Sequence, residues 1–167
     1  NEEFEVLCRE AAKYGIGMLL DGVFSHTVSD GRYFNREGRY GDGGAYRDPN
    51  SPYRSWYDFD PKYKGGYRSW WGFETLPEVN EETPSYVEFI TGEGGVIDTW
   101  LRRGAAGFRL DVADELPDEF IEKIRTAVKR VGPEKFLLGE VWEDATTKYG
   151  FNQRRTYLLG KGLDSVM

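Results

Sequence analysis

"GFRLDVADEL" occupies residues 107–116 and sets two ionisable side chains, Arg109 and Asp111, inside a segment otherwise built like a buried strand. Side chains alternate along an extended chain, so Arg109 and Asp111 share one face while Phe108, Leu110 and Val112 share the other. An aspartate at the C-terminal end of a parallel strand, with an arginine one step deeper beside it, would be held ionised and oriented, as a nucleophile or charge stabiliser must be. A buried ion pair linking sheet and helix would use the same two residues. The stretch by itself leaves both readings open.

The flanking sequence alternates between two periods. "IGMLLDGVF" (16–24) is a short run that stays apolar on both faces, as expected of a parallel strand covered on each side. "KFLLGEVW" (135–142) is another, and "LDSVM" (163–167) reads as the opening of a fourth strand. Between them, Phe4, Leu7, Cys8 and Ala11 recur at helical spacing over 2–14, with Gly15 where a helix commonly ends. Thr83 and Pro84 read as an N-cap and first-turn pair. After them Tyr86, Phe89, Ile90, Ile97, Trp100 and Leu101 keep one helical phase to Arg103, weakened in the middle by Gly92, Gly94 and Gly95. Pro117 opens the clearest helix, whose apolar set Phe120, Ile121, Ile124, Ala127, Val128 and Val131 is closed by Gly132 and Pro133. Residues 146–160 show no clear period. Strand and helix alternate, which indicates βα units around a parallel sheet.

Residues 27–80 break the pattern. They hold 13 of the 26 aromatic residues, many glycines and no sustained period, and a segment that long inside a domain is a functional insertion or a small subdomain. Most of its rings are expected to form a miniature core. The domain organisation is therefore 1–26 with 81–167 as one α/β unit, and 27–80 as a loop-rich insert.

Composition excludes several functions. A net charge of -7 and a pI near 4.9 argue against nucleic acid or an anionic membrane as partner, since both call for a basic face. Cys8 is the only cysteine, so no disulfide framework or cysteine-rich metal site exists, and a buried apolar role is expected for it. No stretch approaches the roughly 20 apolar residues that span a bilayer, and no basic-then-apolar leader stands at the N-terminus. The chain is read as cytoplasmic, with secretion left open. It starts at Asn1 without an initiator Met and reads as cut inside regular structure at both ends, which suggests a fragment.

Three apolar runs end in an acid: Asp21 in "LLDGVFSH", Asp111 in "GFRLDV" and Glu140 in "LLGEVW". Binding and catalysis occur at the C-terminal edge of α/β barrels and open sheets, whereas a purely structural account needs three unrelated buried acids there. The functional reading is favoured. No glycine-rich loop opens a helix, which disfavours a phosphate-binding enzyme.

These residues resemble the α-amylase family, glycoside hydrolase family 13. "DGVFSH" (21–26) is similar to its first signature, "LPEVN" (76–80) to the short motif near the end of its inserted domain, "GFRLDVADE" (107–115) to its second and "GEVW" (139–142) to its third, in the family's order. The resemblance implies a partial (β/α)8 TIM barrel, from about strand 3 to strand 6, with the aromatic-rich subdomain inserted after the first strand present. It implies that Asp111 is the nucleophile of a retaining, double-displacement glycosidase and Glu140 its acid/base. It places Arg109, His26, Asp21, Trp142 and Glu115 around the sugar.

Three departures carry information. Ser25 stands where the family usually has an asparagine that binds calcium in many members, so no cofactor is expected. Asp114–Glu115 follow the nucleophile where many α-amylases have Lys-His, which is more like the neopullulanase, cyclomaltodextrinase and oligosaccharide-cleaving branches. The fourth signature, an Asn-His-Asp with the third carboxylate, has no counterpart. Outside the insert only 113 residues remain, against roughly 250 for a closed barrel. The expectation is an α-glucan hydrolase or transglycosylase acting on α-1,4- and α-1,6-linked glucose oligomers. This chain would be inactive alone and would self-associate through open barrel edges. The rival expectation is a non-catalytic carbohydrate-binding or interaction module derived from such an enzyme.

Overall fold

The computed structural model describes residues 1–167. The chain divides into two compact units, Asn1–Gly22 with Val87–Met167, and Val23–Tyr86. No helix is long and apolar enough to cross a membrane.

The first unit is built on a parallel sheet of β1 (Leu19–Gly22), β2 (Gly107–Leu110), β3 (Phe136–Gly139) and β6 (Ser165–Val166), in that spatial order. Every neighbour is parallel, with Asp21 beside Arg109 and Arg109 beside Leu138. Strand order following chain order without reversal is the progression of a (β/α)8 wall, not of a doubly wound sheet. The fold is a partial barrel. Gly107 begins β2 because any Cβ there would collide with the Phe136 carbonyl of β3.

The sheet's two faces differ. Phe108, Leu110 and Leu137 are buried on the helix side. On the other side Leu19 is 37% and Phe136 39% exposed. The run at 16–24 is thus not covered on both faces as its composition suggests: β1 is an edge strand, and the opposite face is the one whose cover in a closed barrel comes from other strands.

Helix α4 (Asp118–Val131) runs as the sequence predicts, burying Phe120, Ile121, Ile124, Ala127 and Val128 against α3 (Val96–Arg102) and β3. Asp118 and Glu119 in its first turn and Lys129 and Arg130 in its last complement the helix dipole. The single helix expected up to Arg103 is instead two, α2 (Pro84–Thr91) and α3. Gly94 sits between them at φ +73°, a conformation open to glycine at little cost, and Asp98 of α3 accepts its N–H at 3.1 Å. The Thr83 hydroxyl donates to the Ser55 carbonyl. Helix α1 (Glu2–Ala12) sets Phe4 edge-on to Trp100 of α3 at 5.3 Å, and Cys8 is its buried residue. The undefined stretch at 146–160 contains a hairpin, β4 (Tyr149–Gly150) with β5 (Gln153–Arg154). Its two central residues, Phe151 and Asn152, both have positive φ, as a type I′ turn requires.

The second unit has an aromatic core. Phe34 and Tyr67 are fully buried with ring centroids 4.6 Å apart, Tyr57 packs edge-on to Phe34 at 4.9 Å, and the Arg54 guanidinium lies 3.3 Å from the Phe59 ring centre. Buried Asn35 donates to the Gly41 and Gly43 carbonyls, replacing sheet hydrogen bonds with side-chain ones. This unit reaches beyond 27–80 at both ends, because Val79 N–H donates to the Ser25 carbonyl and the Tyr86 hydroxyl to that of Phe24.

Burial pushes the Glu81 carboxyl up to about 7. A carboxyl whose folded pKa exceeds its unfolded one stabilises the fold below about pH 4.5 relative to neutral pH, and that stability is lost as pH rises toward 7. Glu81→Gln should therefore match the parent protein in thermal stability near pH 4. At pH 8 it should exceed it by about 1–2 kcal/mol once solvent screening is allowed for. Melting curves at the two pH values check this, and an equal difference at both would contradict the buried-acid account.

Candidate active site

Three parallel strands deliver carboxylates to one edge: Asp21 within β1, Asp111 just after β2 and Glu140 just after β3. Arg109 gathers all three. Its Nη1 donates to Asp21 Oδ1 at 2.6 Å and to Asp111 Oδ1 at 2.7 Å, and its Nη2 lies 2.9 Å from Glu140 Oε2. Binding to two nitrogens of one planar guanidinium holds the Asp111 and Glu140 carboxyl groups no more than about 8 Å apart. Carboxylate pairs that flank one glycosidic bond span roughly 5 to 9.5 Å. The cluster is half-buried, with the Arg109, Asp111 and Glu140 side chains 22%, 21% and 25% exposed and Asp21 at the rim.

Val112, the residue after Asp111, takes a left-handed conformation (φ 42°, ψ 52°) although it is β-branched and buried. Such a residue is a backbone outlier, and strain of this kind persists only where the surroundings enforce it. Here it aims the Val112 N–H at Glu140 Oε2, 2.9 Å away. The Val112 N–H holds the Glu140 carboxyl below the usual carboxylate range, and hydrogen bonds from Trp142 and Arg109 assist, against the opposing effect of burial.

Of the residues singled out in the sequence, Asp21, Arg109, Asp111, Glu140 and Trp142 thus come together in the first unit. Glu115 is half-buried on the short helical turn Ala113–Glu115 that follows Val112. His26 belongs to the second unit, where its Nδ1 lies 3.0 Å from the buried Ser25 hydroxyl and its ring 5.5 Å from that of Trp70. The groove beside it, lined by Thr27, Tyr33 and Leu76, encloses about 450 Å³. Ser25, expected from the sequence to make a calcium site doubtful, faces His26. No group of three or more His, Cys, Asp or Glu is arranged to hold a metal ion.

The backbone donor of Val112 had no signal in the sequence, since valine is among the last residues expected in a left-handed turn. Lys148 and Arg155 were missed too. Both lie in the stretch without a period, yet Lys148 pairs with Asp114 at 3.0 Å and buried Arg155 pairs with Asp118 at 2.7 Å.

The family model of the α-amylase catalytic domain matches residues 1–161. The chain is 36% identical over 185 residues to the amylopullulanase of Thermoanaerobacterium saccharolyticum, covering 99% of this chain and 14% of that protein. It is 30% identical over 176 residues to neopullulanase 2 of Thermoactinomyces vulgaris, covering 98% and 26%. Among solved structures, Ttha1563 of Thermus thermophilus matches with a TM-score of 0.77 at 34% identity, over 100% of this chain and 33% of that one. The debranching enzyme of Nostoc punctiforme matches with a TM-score of 0.78 at 30% identity, over 100% and 32%. The chain thus spans about a third of the solved chains and a smaller share of the two relatives. Its four motifs, the order of its strands and the match over residues 1–161 agree: the chain belongs to the α-amylase family.

Proposed function

We propose that the protein is a retaining α-glucan hydrolase or transglycosylase acting on α-1,4- and α-1,6-linked glucose oligomers. The observation that carries this reading is the Arg109 guanidinium bridging Asp111 and Glu140 at adjacent strand ends. Asp111 attacks the anomeric carbon while Glu140, as the acid, gives its proton to the departing glycosidic oxygen; the C–O bond breaks and a glycosyl ester forms on Asp111. Glu140, now a carboxylate, takes a proton from water or from an acceptor sugar hydroxyl, which attacks the same carbon and frees Asp111. Arg109 fixes the orientation of Asp111 throughout. Relatives named amylopullulanase, neopullulanase and debranching enzyme support a glucan substrate.

His26, Asp21, Trp142 and Glu115 would line the sugar. Asn1–Gly22 with Val87–Met167 would form the catalytic unit and Val23–Tyr86 the insert, with no cofactor required. Taken alone, these 167 residues would turn over no glucan, and they would pair through the open edges of β1 and β6.

Proton NMR of maltooligosaccharide hydrolysis by the intact protein tests the reaction class. The α-anomer of the new reducing end should appear first, with the β-anomer following by mutarotation. A β-anomer formed first would overturn the double displacement.

A further inference from the structure

Beyond the reacting pair, the loop that follows Glu140 is fastened to the segment after Asp111 by Arg155, which binds Asp118 and the Asp114 and Leu116 carbonyls, and by Lys148, which lies nearest to Trp142. We propose that Asp114 and Lys148 form a tether that positions Trp142 against Glu140, making Lys148 a positioning residue of the site. The inference rests on Glu140 being the acid/base.

Lys148 lies on the loop after β3 and Asp114 on the turn after Asp111. The Lys148 ammonium is 3.0 Å from Asp114 Oδ2, and it donates to the Trp142 carbonyl at 3.1 Å and to Glu143 Oε2 at 3.2 Å. An ammonium has three donors, and these contacts engage all of them. The Asp114 side chain is only 7% exposed, and its other oxygen, Oδ1, is buried without a hydrogen bond. No other ion pair reaches that carboxylate, so its charge is balanced through Lys148, unlike the freely solvated pairs of the surface. The hydrogen bond to Asp114 in turn raises the Lys148 pKa.

The geometry runs from there to the site. By holding the Trp142 carbonyl, Lys148 fixes the residue whose side chain hydrogen-bonds Glu140. Glu143, next along, is left-handed at φ 70°, so the chain turns sharply where the tether grips it. The groups facing Glu140 are the Arg109 guanidinium, the Val112 N–H and Trp142, with Asp21 and Asp111 behind Arg109. Of these, Trp142 is the one delivered by the loop. Releasing the tether removes one donor from the Glu140 carboxylate and lets its pKa rise, while the other two donors stay.

Four variants of the intact protein test this: Lys148→Met, Trp142→Phe, the two combined, and Lys148→Arg. The readouts are the carbon-13 titration of the Glu140 carboxyl and the pH dependence of kcat/KM. Lys148→Met and Trp142→Phe should each raise the titration midpoint, move the alkaline limb of kcat/KM upward and lower its maximum by about 10-fold. The double variant should go no further than either single one, and Lys148→Arg should restore the parent behaviour. A midpoint unmoved by Lys148→Met, or a double variant equal to the sum of the singles, overturns the tether. Should Lys148→Met fail to fold, Asp114→Ala removes the acceptor that anchors the Lys148 ammonium and carries the same expectations. A midpoint that moves while the kinetic limb stays supports the tether and removes Glu140 from the acid/base role.

Discussion

Asp111→Asn is expected to lower kcat/KM on maltooligosaccharides by about 10⁴-fold or more, the scale of loss when a covalent nucleophile is removed. The same variant should melt no lower than the parent protein. Arg109 carries a single positive charge and holds three carboxylates, so the native cluster has surplus negative charge. Replacing Asp111 by an amide of the same shape relieves that repulsion and keeps an oxygen to accept from Arg109 Nη1, while Asp21 and Glu140 still hold the guanidinium. Stability maintained while activity collapses is the signature of a group kept for chemistry. A structural ion pair predicts the reverse, a lower melting temperature with turnover within about 10-fold of the parent on an aryl maltoside. Differential scanning fluorimetry beside initial rates separates the two outcomes.

What the sequence made legible was what depends on local period. Helix α4 could be read to within a residue or two because its apolar set follows one face and Gly132–Pro133 end it. The alternation that puts Arg109 and Asp111 on one face is the same geometry that lets a single guanidinium reach Asp21 and Glu140 on the neighbouring strands. What stayed hidden depends on contacts far apart in the chain. Asp164 reads as an ordinary acid at the start of a strand, yet it accepts hydrogen bonds from Arg125, Lys129 and the Leu137 N–H, fixing the chain as it enters β6. Arg155 lies in a stretch without a period and is almost fully buried, donating to Asp118 and to the Asp114 and Leu116 carbonyls. Neither environment is encoded in neighbouring residues. The helix break at Gly92–Gly95 fell between these cases: the glycines were visible, but three apolar residues on each side kept phase, and only the positive φ of Gly94 decides for two helices.

Glu140→Gln should separate the two halves of the reaction. Oligosaccharides leave as poor alkoxides and need a proton in the transition state, so their kcat/KM should fall by about 10²- to 10⁴-fold. An aryl maltoside with an acidic phenol needs little protonation, and its glycosylation step should stay within about 10-fold of the parent. The second step then lacks its base, so the glycosyl ester on Asp111 should accumulate as a burst of phenol, and azide, which attacks without losing a proton, should restore turnover. Val112 N–H and Arg109 Nη2 both address Oε2, where the glutamine oxygen can accept from each. The ligand-free site holds Glu140 ionised, through the Val112 N–H first and then Trp142 and Arg109. The acid must therefore take up its proton as substrate displaces water, and in the parent protein the alkaline limb of kcat/KM should lie below that of kcat. In the glutamine variant no group titrates at that position, so this limb should vanish from the aryl maltoside profile. Equal losses on both substrates, with the limb unchanged, would show that the proton comes from elsewhere.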